Sequence, residues 1–475
     1  MFQAIRNFYE NLIFFYGITL FFSYIFLCFC SYFAIRRYQR YNIEFEDDYI
    51  MASPYTPGIS VIAPAFNEGV TIVSNVRSLL TLNYPTFEVI IINDGSTDNT
   101  LDLMISEFDM VETPYLYIEK IKTRPYKRVF KSTNPAYSLL TVVDKENGKS
   151  KADASNAGIN ASSFPYYLCT DVDCILDRNT LLKMIKPILS SSENVIAVGA
   201  SLRMSNSCDV VNGVMTRVRP PIGILARFQE LEYTRSYLIG KMGWSLINSV
   251  SNVSGGLGLF NKDIAVKGGG YDPYSHAEDM DLMTRMGSYM FNNKLKYRVA
   301  YIPLSCCWTE GPPNLQIFNR QRTRWGRGLL QLFYVHRKIL LNPKYKRLGL
   351  VVFPYVFIFE LIAPILEFSG VLFFIFLIVT NQVNWKMFII LASFTYIAAL
   401  MISFLTVLWD QLVFKYYKTW YEVIKLLLMA FLEPIFYHPL IVFFALKGYY
   451  SYLTQRQHEW GSMVRQGFET TKPKK

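Results

Sequence analysis

The sequence predicts a membrane-anchored α/β protein, in which a mostly parallel β-sheet lies between apolar helices. Three observations lead to this fold class. Of the 475 residues, 51% are hydrophobic and only 18% are charged, which is unusual for a soluble domain. Long uncharged runs occur near both ends of the chain. Between them, short runs rich in Val and Ile alternate with helical runs, as in sheets built with right-handed crossovers.

The first membrane helix is predicted from Leu12 to Ile35, a run of 24 residues without a charge. This length is enough to cross a bilayer and exceeds the apolar core of a signal peptide. Arg36, Arg37 and Arg40 follow directly. Because cytoplasmic flanks of membrane helices are rich in Lys and Arg, the region after residue 36 is expected in the cytoplasm.

Four strands and their connecting helices are predicted next. Each strand-like run is apolar and ends in polar residues. Ligands of such sheets bind where the carboxyl ends of the strands meet, and five polar residues are expected at that edge: Asn67, Glu68, Asp94, Asp171 and Asp173. The strands are expected at 58–66, 87–94, 139–144 and 166–173, and the helices at 67–82, 96–108 and 150–163.

Asp171 and Asp173 end the strand-like run YYLCTDVD. Residues i and i+2 of a strand share a face, so the two carboxylates would repel each other unless a cation lay between them. Mg²⁺ is commonly held by one or two carboxylates and the phosphates of a substrate. An EF-hand is disfavoured because its glycine and terminal glutamate are missing. The alternative is a strand end whose aspartates cap the next helix or face water.

Two common phosphate-binding loops are excluded. No G-x-G-x-x-G follows the first strand, and the NGKS at 147–150 has Val143 where the first glycine of a Walker A loop belongs. The net charge of +11 is consistent with a membrane-apposed protein that handles an anionic substrate, although charge alone also suits nucleic-acid binding. The basic stretch 119–131 is expected to be a solvated or lipid-facing surface. The seven cysteines show neither metal-ligand spacing nor a disulfide framework, and reduced thiols are expected.

The C-terminal quarter is predicted to hold further membrane helices, whose number is open. Met387 to Trp409 is uninterrupted, whereas the runs 350–379 and 426–446 contain Glu360, Glu367 and Glu433. Charges at that depth face a protein interior or a watery cavity, unless these segments are broken or lie in the interface. Three crossings would put the tail outside, although the five Lys and Arg residues after residue 450 favour the cytoplasm.

The chain is accordingly divided into four parts. These are an N-terminal membrane helix with a basic linker (1–45), a central α/β domain (46–345), a C-terminal membrane region (346–450) and a basic tail (451–475). The tail segment HEWGSMVRQG, with Trp460 and Arg465, is too polar for a span and too patterned for a random coil. Its role is left open.

Further polar segments precede the second membrane region. Glu278 and Asp279 begin a predicted helix after the turn KGGGYD. NRQRTRWGRG, residues 319–328, is too polar for an apolar core face, and an interfacial amphipathic helix with snorkelling arginines is the alternative. The loop SNVSGGLGLFNKD, residues 251–263, contains Gly255 and Gly256, which permit close backbone approach, although a tight turn between two strands is as compatible with it.

Together these segments resemble the membrane-bound family 2 glycosyltransferases, which include synthases of cellulose, hyaluronan, chitin oligosaccharide and poly-N-acetylglucosamine. The motifs PAFNEG, NDGSTD, GKSKADASNAG, DVD, AED and QRTRW occur in the family order, with a membrane segment on each side. Each motif is short, but six in order are specific. The resemblance implies a GT-A fold, which is Rossmann-like, and an inverting transfer of a sugar from a nucleoside diphosphate.

The resemblance also implies residue roles by position. Asp173 and Asp171 match the ligands of Mg²⁺ or Mn²⁺, and Asp279, beside Glu278, matches the catalytic base. The family TED is AED here, and Asn93 replaces the first Asp of the usual DDG; neither change removes a charge that transfer requires. The implied donor-binding residues are Phe66, Asn67, Glu68, Asp94, Lys151, Asp171, Gln321 and Arg324. The implied acceptor-binding residues are Trp325, Gly255 and Gly256.

The sequence therefore predicts an enzyme that extends a β-linked polysaccharide from UDP-N-acetylglucosamine or UDP-glucose, in a bacterial plasma membrane with its catalytic domain in the cytoplasm. The expected partners are the UDP-sugar, a glycan or lipid acceptor and membrane lipids, but not nucleic acid; any export partner is left open. Two alternatives remain. One is a glycosyltransferase that adds a single sugar to a lipid, and the other is a transporter or inactive scaffold with an inherited nucleotide-binding domain.

Overall fold

The computed structural model describes residues 2–44, 46–114, 118–211 and 213–454. Its strands are β1 Ile59–Ala65, β2 Phe87–Asn93, β3 Met110–Glu112, β4 Tyr126–Ser132, β5 Leu140–Lys145, β6 Tyr166–Thr170, β7 Ile175–Leu176, β8 Asn194–Met204, β9 Asp209–Val211, β10 Val214–Arg217, β11 Leu257–Asn261 and β12 Tyr297–Thr309. Ten of these form one sheet in the order β3-β4-β5-β2-β1-β6-β11-β8-β12-β7, and β9 pairs with β10.

The sheet is mixed, with a parallel centre. Strands β5, β2, β1 and β6 are parallel neighbours, and β8 pairs with β12 in the same way. Antiparallel pairing attaches β4, β11 and β7. Seven of the ten strands point in one direction, which confirms the predicted mostly parallel sheet.

The register brings the carboxyl ends of three parallel strands level with one another. Ala65, the last residue of β1, lies opposite Asn93 of β2, which lies opposite Asp144 of β5. The apolar side chains of these strands form the core; Ile62 and Ile90, for example, are fully buried. Burial of each such side chain contributes roughly 1.5–3 kcal/mol. The residues that follow the three strands therefore emerge together at one edge of the sheet.

The predicted helices between the first strands are confirmed as α3, α4 and α5, although each is shorter than expected: α3 begins five residues later and α4 four, and α5 ends two residues earlier. The α-helices are α1 Phe2–Glu44, α2 Asp47–Ala52, α3 Ile72–Leu80, α4 Thr100–Glu107, α5 Lys151–Ala161, α6 Thr180–Leu189, α7 Ile224–Arg235, α8 Met242–Leu246, α9 Lys262–Lys267, α10 Glu278–Asn292, α11 Leu315–Val335, α12 Phe353–Val356, α13 Ala363–Val379, α14 Trp385–Phe414, α15 Trp420–Leu432 and α16 His438–Leu453. Short 3₁₀ turns occur at Pro135–Tyr137 and Pro343–Tyr345, and π-helical turns at Ser236–Lys241, Leu348–Val352, Phe357–Ile362 and Glu433–Tyr437.

Four helical segments in the described part of the chain are long and apolar enough to cross a membrane. They coincide with the predicted runs and are Arg6–Arg40, Leu348–Val379, Trp385–Phe414 and Trp420–Leu453. The second and the fourth contain π-helical turns where Glu360 and Glu433 lie. Pro434 contributes to the second of these irregular turns, because proline cannot donate the backbone hydrogen bond of a regular helix. The structure thus supports broken helices at these two acids.

Buried ion pairs attach the apolar helices to the central domain. Arg203 of β8 is paired with Asp410 of α14 and lies 2.8 Å from Glu230 of α7. Arg235, at the end of α7, lies 2.6 Å from Glu433. Glu433 therefore faces the protein interior. Because a buried charge is costly without its partner, these pairs fix how the helices sit against the sheet.

Candidate active site

The turn after β1 is held by hydrogen bonds to the loop after β2. Asn67 has a φ of 56°, in the left-handed region that Asn adopts more readily than most residues. Its N–H donates to Ser96 Oγ at 3.0 Å, and its Oδ1 accepts from the Thr97 N–H at 2.8 Å. The neighbouring Glu68 N–H donates to Thr100 Oγ1 at 2.8 Å. Phe66, in contrast, is 43% exposed, so its ring is open to a ligand at the predicted edge.

Asp94 follows β2 and is buried against a lysine from the neighbouring strand. Lys145 Nζ donates to Asp94 Oδ1 at 2.7 Å and to Asp153 Oδ2 at 2.6 Å, and the Gly148 N–H donates to Asp94 Oδ1 at 3.0 Å. Burial raises the pKa of Asp94, while Lys145 and the Gly148 amide oppose the rise. Asp94 thus lies at the expected edge with one oxygen engaged by the protein, and its contact with a nucleoside stays a prediction.

Asp171 and Asp173 lie in a turn after β6 and not on the strand itself. The strand ends at Thr170, and the Cys174 N–H donates to the Asp171 carbonyl at 3.0 Å, which closes the turn. Strand alternation is therefore the wrong reason for their proximity, because the chain leaves the sheet before Asp171. The two carboxylates are nevertheless close: ligand atoms of Asp171, Asp173 and Cys174 all lie within 4.8 Å of one another.

This cluster fits a hard divalent cation. Carboxylate oxygens are the ligands that Mg²⁺ and Mn²⁺ prefer, and two of them leave room for the oxygens of a diphosphate. The Cys174 thiol is buried and is a softer ligand, so it is less suited to these ions. Asp171 and Asp173 are therefore the residues that would hold the metal.

Lys151 lies between two groups of carboxylates. The first is the predicted metal-ligand pair, Asp171 and Asp173, and the second is the predicted acid pair, Glu278 and Asp279. Lys151 Nζ lies 2.5 Å from Asp171 Oδ1 and donates to the Gly255 carbonyl at 2.6 Å. Burial opposes the charge of Lys151, but Asp171 and Glu278 outweigh it and raise the pKa of the ammonium above its usual value. Gly255 sits between these groups, since a methyl on it would lie 3.6 Å from Lys151 Nζ and 3.9 Å from Glu278 Oε1. A methyl on Gly256 would lie 3.7 Å from Asp171 Oδ2.

Glu278 and Asp279 are the first two residues of α10, where the helix dipole favours negative charge. Burial raises the pKa of Glu278, and the positive charges of Lys151 and Arg324 oppose the rise. Glu278 Oε2 is buried and has no hydrogen-bond partner among the residues that the structure describes. This oxygen is free, within the described residues, to accept a hydrogen bond from a bound molecule or water.

Asp279 is half-buried, and both of its oxygens accept hydrogen bonds. Asn252 Nδ2 donates to Oδ2 at 3.0 Å, and the Met280 N–H donates to Oδ1 at 2.9 Å. Lys241 in turn donates to Asn252. The loop that carries Asn252 follows α8 and precedes β11, so it is not a turn between two strands. Asn252 lies within the glycine-containing loop that the sequence marks, but no motif marks Lys241.

Helix α11 brings the segment QRTRW to the acid pair. Gly328 packs directly on the start of α10, because a methyl on it would lie 2.7 Å from the Ala277 nitrogen. On this helix Arg324 is near enough to Glu278 to act on its pKa. Gln321 Oε1 accepts from Gln229 Nε2 at 3.3 Å.

Arg322 and Trp325 of the same helix lie against each other. The Arg322 guanidinium lies 4.5 Å from the centre of the Trp325 ring, and it pairs with Glu232 inside the protein. Arg322 is only 5% exposed, so it does not snorkel towards an interface. A plain interfacial helix, the alternative left open by the sequence, is therefore not what α11 forms at this position.

Comparisons with known protein families agree with this site. The family model described as Glycosyl transferase family group 2 matches residues 203–432, and the model described as Glycosyl transferase family 2 matches residues 60–114. The two matches include β1, the turn after it, the acid pair and QRTRW. The chain therefore contains glycosyltransferase family 2 domains and is a glycosyltransferase.

The chain is similar to the poly-β-1,6-N-acetyl-D-glucosamine synthase of Staphylococcus aureus (strain COL), with 29% identity over 338 residues, 70% of this chain and 68% of that one. It is also 28% identical over 308 residues to the enzyme of the same name from Staphylococcus epidermidis, covering 65% of this chain and 62% of that one. Among solved structures, the mannosyltransferase PcManGT from Pyrobaculum calidifontis, in complex with GDP-Man and Mn²⁺, aligns with a TM-score of 0.50 at 16% identity, over 93% of this chain and 99% of that chain. This likeness supports the fold, and the predicted GT-A domain with apolar helices is confirmed.

Proposed function

We propose that the chain transfers a sugar from a UDP-sugar to a growing β-linked polysaccharide, with inversion at the anomeric carbon. One observation carries the proposal: Lys151 joins the metal-ligand residue Asp171 to the acid Glu278, beside Asp279, in a single cluster. The printed name of the staphylococcal relatives, poly-β-1,6-N-acetyl-D-glucosamine synthase, supports a polysaccharide product. It also favours UDP-N-acetylglucosamine as the donor over UDP-glucose.

The donor is proposed to bind along the edge formed by the ends of β1, β2 and β6. The turn at Phe66 and the carboxylate of Asp94 would contact the nucleoside, and Asp171 and Asp173 would hold Mg²⁺ or Mn²⁺. When bound, this ion supplies positive charge that neutralises the diphosphate. Lys151, with Arg324 and Gln321 from α11, adds polar and positive groups on the protein side, where negative charge develops as UDP leaves.

Asp279 is proposed to act as the base. A sugar hydroxyl is a poor nucleophile at neutral pH, so the carboxylate takes its proton while the oxygen bonds to the anomeric carbon. The bond from that carbon to the diphosphate oxygen breaks at the same time, and attack from the opposite face inverts the carbon. Glu278, whose Oε2 lacks a partner among the described residues, is assigned to accept a hydrogen bond from a second substrate hydroxyl.

The acceptor is proposed to bind between α11 and the loop at Gly255 and Gly256. The indole of Trp325 would lie against the apolar face of a sugar ring, and the two glycines would let the chain approach closely. Arg36 and Arg37, which follow the first apolar run, favour a cytoplasmic catalytic domain, and we place the enzyme in a bacterial plasma membrane with lipids as neighbours.

The test is turnover with a panel of radiolabelled UDP-sugars and Mn²⁺, scored for UDP release and for product length on a gel. We expect UDP-N-acetylglucosamine or UDP-glucose to give long chains that do not partition into organic solvent. A product with a single sugar that partitions into organic solvent would instead establish a lipid glycosyltransferase. Absence of UDP release with every donor would overturn the proposal and favour a transporter or an inactive scaffold.

A further inference from the structure

Lys241 lies on a helical segment of the central domain that packs against membrane helix α1. Helix α7 continues through the π-helical turn Ser236–Lys241 into α8, which packs on α1. Gly243 permits this packing, because a methyl on it would lie 2.7 Å from the Leu27 carbonyl oxygen. A π-helical turn widens the helix and re-aims the side chains around it, and such turns are frequent at functional sites.

The ammonium of Lys241 determines which way the Asn252 amide faces. Nζ donates to the Asn252 backbone carbonyl at 3.1 Å and also to the side-chain Oδ1. An ammonium carries donors only, so it cannot pair with the amide NH₂ group. Oδ1 is therefore held towards Lys241 and Nδ2 towards Asp279, to whose Oδ2 it donates at 3.0 Å.

This arrangement fixes the orientation of the Asp279 carboxylate, because each of its oxygens accepts a hydrogen bond from the protein. Met280 N–H fixes Oδ1 and Asn252 fixes Oδ2. Burial lowers the pKa of Lys241, and the nearby negative charges of Glu360 and Asp279 oppose this effect. If the ammonium were lost, the amide would be free to rotate and to turn its oxygen towards the carboxylate, which would push Asp279 out of position.

We propose that Lys241, acting through Asn252, is a positioning residue that orients the carboxylate of Asp279 towards the acceptor hydroxyl. This inference rests on the proposed function, in which Asp279 is the base. It predicts an effect on the chemical step and none on donor binding, because the hydrogen bonds from Lys241 through Asn252 lead to Asp279, the proposed base.

The first test compares Lys241→Met and Lys241→Arg in the full-length enzyme. Displacement of a reacting group by about 1 Å costs roughly 100-fold in rate, so Lys241→Met is expected to lower kcat about 10–100-fold with little change in KM for the UDP-sugar. Lys241→Arg should retain most of the rate, since a guanidinium also carries donors only. Asn252→Ala, which removes the link itself, is expected to lower kcat as Lys241→Met does.

The decisive test is the double variant with Asp279→Asn. If Lys241 acts only through Asp279, Lys241→Met causes no further loss in the Asp279→Asn background. An undiminished further loss, or a wild-type kcat for both Lys241→Met and Asn252→Ala, would overturn the inference. If Asp279→Asn is inactive while Lys241→Met and Asn252→Ala keep the wild-type kcat, only the positioning role of Lys241 is refuted. If Asp279→Asn is itself active, the assignment of Asp279 as the base is refuted as well.

A second and independent inference concerns the last apolar segment, Trp420–Leu453, because both of its ends contact the same domain. At its start, Glu422 lies 3.3 Å from Arg217 of β10. At its end, Gly448 packs on α11, since a methyl on it would lie 2.7 Å from the Arg327 nitrogen. The two ends of a helix that crossed the bilayer would lie about 30 Å apart along the membrane normal.

The middle of this segment also contacts the sheet domain. Glu433 lies 2.6 Å from Arg235, and Tyr437 Oη donates to Glu232 at 2.7 Å. The hairpin formed by α13 and α14 differs from this segment, because its tip is exposed. There the Phe374 and Phe388 rings stack at 4.0 Å near the tip, and Val379 is 79% exposed.

We infer that Trp420–Leu453 enters the membrane from the side of the catalytic domain, bends at its π-helical turn and returns to that side. Three segments then cross the bilayer: Arg6–Arg40, Leu348–Val379 and Trp385–Phe414. The basic tail consequently begins on the side of the catalytic domain, where the charge rule expects its five Lys and Arg residues.

The test uses cysteine substitutions in sealed membrane vesicles of both orientations, labelled with a membrane-impermeant maleimide. Lys267→Cys shows the side of the membrane on which the catalytic domain lies, Asn381→Cys that of the hairpin tip, and Thr454→Cys that of the end of the segment. The unsubstituted chain gives the background labelling of its own seven cysteines. We expect Thr454→Cys to react from the same side as Lys267→Cys and opposite to Asn381→Cys. Reaction of Thr454→Cys together with Asn381→Cys would show a full crossing and overturn the inference.

Discussion

Lys151 stands between acids that would otherwise repel one another in a partly buried site. Asp171 lies 2.5 Å from its Nζ, and Glu278 contributes to holding it charged. A fixed ammonium between the metal-ligand pair and the acid pair lets both groups keep negative charge at short range. In the proposed function, the same ammonium also contacts the diphosphate of the donor, so that one residue would link donor binding to the chemistry of transfer.

Asp173→Asn tests the metal site. The change replaces an anionic oxygen ligand with a neutral amide, so we expect the Mn²⁺ concentration for half-maximal turnover to rise by at least about tenfold. The measurement is a Mn²⁺ titration of the rate after treatment with a chelator. Asp263→Asn, which removes an exposed acid paired with Lys267, is the matched control and should not change the requirement. An unchanged Mn²⁺ requirement in Asp173→Asn would contradict the metal assignment.

Local pattern placed four residues of the proposed site, because Asp171 and Asp173 follow a strand and Glu278 and Asp279 begin a helix. Their roles were implied by the family resemblance and stay predictions. Lys241 could not be found in this way. Its contact with Asn252 depends on a π-helical turn and on packing against α1, and neither leaves a periodic signal in the sequence.

Among the elements, α11 and α10 form the contact on which the site geometry depends. The backbone of α11 approaches the start of α10 at Gly328, and Gln331 Oε1 accepts from the His276 N–H at 3.1 Å. This contact holds Arg324 beside Glu278. The glycine is needed because the atoms it faces belong to the backbone, which cannot move aside as a flexible side chain can.

Gly328→Ala tests this contact. The added methyl would lie 2.7 Å from the Ala277 nitrogen, so α11 must shift away from α10 and carry Arg324 with it. We expect kcat to fall roughly 10–100-fold, as for a small misplacement of a catalytic group. Gly17→Ala in α1, where no heavy atom lies within 4 Å of the new methyl, is the matched control and should keep the wild-type rate. Wild-type turnover in Gly328→Ala would show that the contact does not govern the site.

The first half of the sheet could be predicted because β1, β2, β5 and β6 are short apolar runs with helices between them. The second half could not. Strands β8 and β12 pair although about a hundred residues separate them, and β11 inserts next to β8 in the antiparallel sense. Sequence order does not specify such long-range pairing, whereas right-handed crossovers constrain the local parallel order.

For the whole molecule, buried ion pairs join the catalytic domain to the membrane helices. Arg203 of β8 reaches Asp410 of α14, and Arg235 of α7 reaches Glu433. The first pair is almost fully buried, and its arginine also lies over the Tyr416 ring at 4.2 Å. These pairs hold the candidate site at a fixed position relative to the apolar helices.

Asp410→Ala tests this attachment. Removing one partner of a buried pair leaves Arg203 with an uncompensated share of charge and typically costs about 3–5 kcal/mol. We therefore expect a clearly lower apparent Tm in detergent, measured by loss of the monodisperse species on heating. Glu107→Ala, which breaks the exposed pair with Arg77, is the matched control and should change Tm little, since such pairs are worth about 0–1 kcal/mol. Equal Tm values for the two variants would contradict a structural role for the buried pair.

The arrangement of the apolar segments was the least predictable feature at this scale. Composition identified the four candidate spans of the described residues, but it cannot distinguish a crossing from a segment that turns back. That distinction depends on contacts such as Glu422 with Arg217, which join residues about two hundred positions apart.

The measurement that tests the central claim most directly compares UDP binding with sugar incorporation in Asp279→Asn. Asparagine cannot accept the acceptor proton, while Asp171, Asp173 and Lys151 remain unchanged. We therefore predict UDP affinity within about twofold of wild type and a loss of incorporation of roughly 100-fold or more. Incorporation at the wild-type rate, or loss of UDP binding with chemistry preserved, would contradict a single site in which the metal-ligand pair holds the donor and Asp279 activates the acceptor.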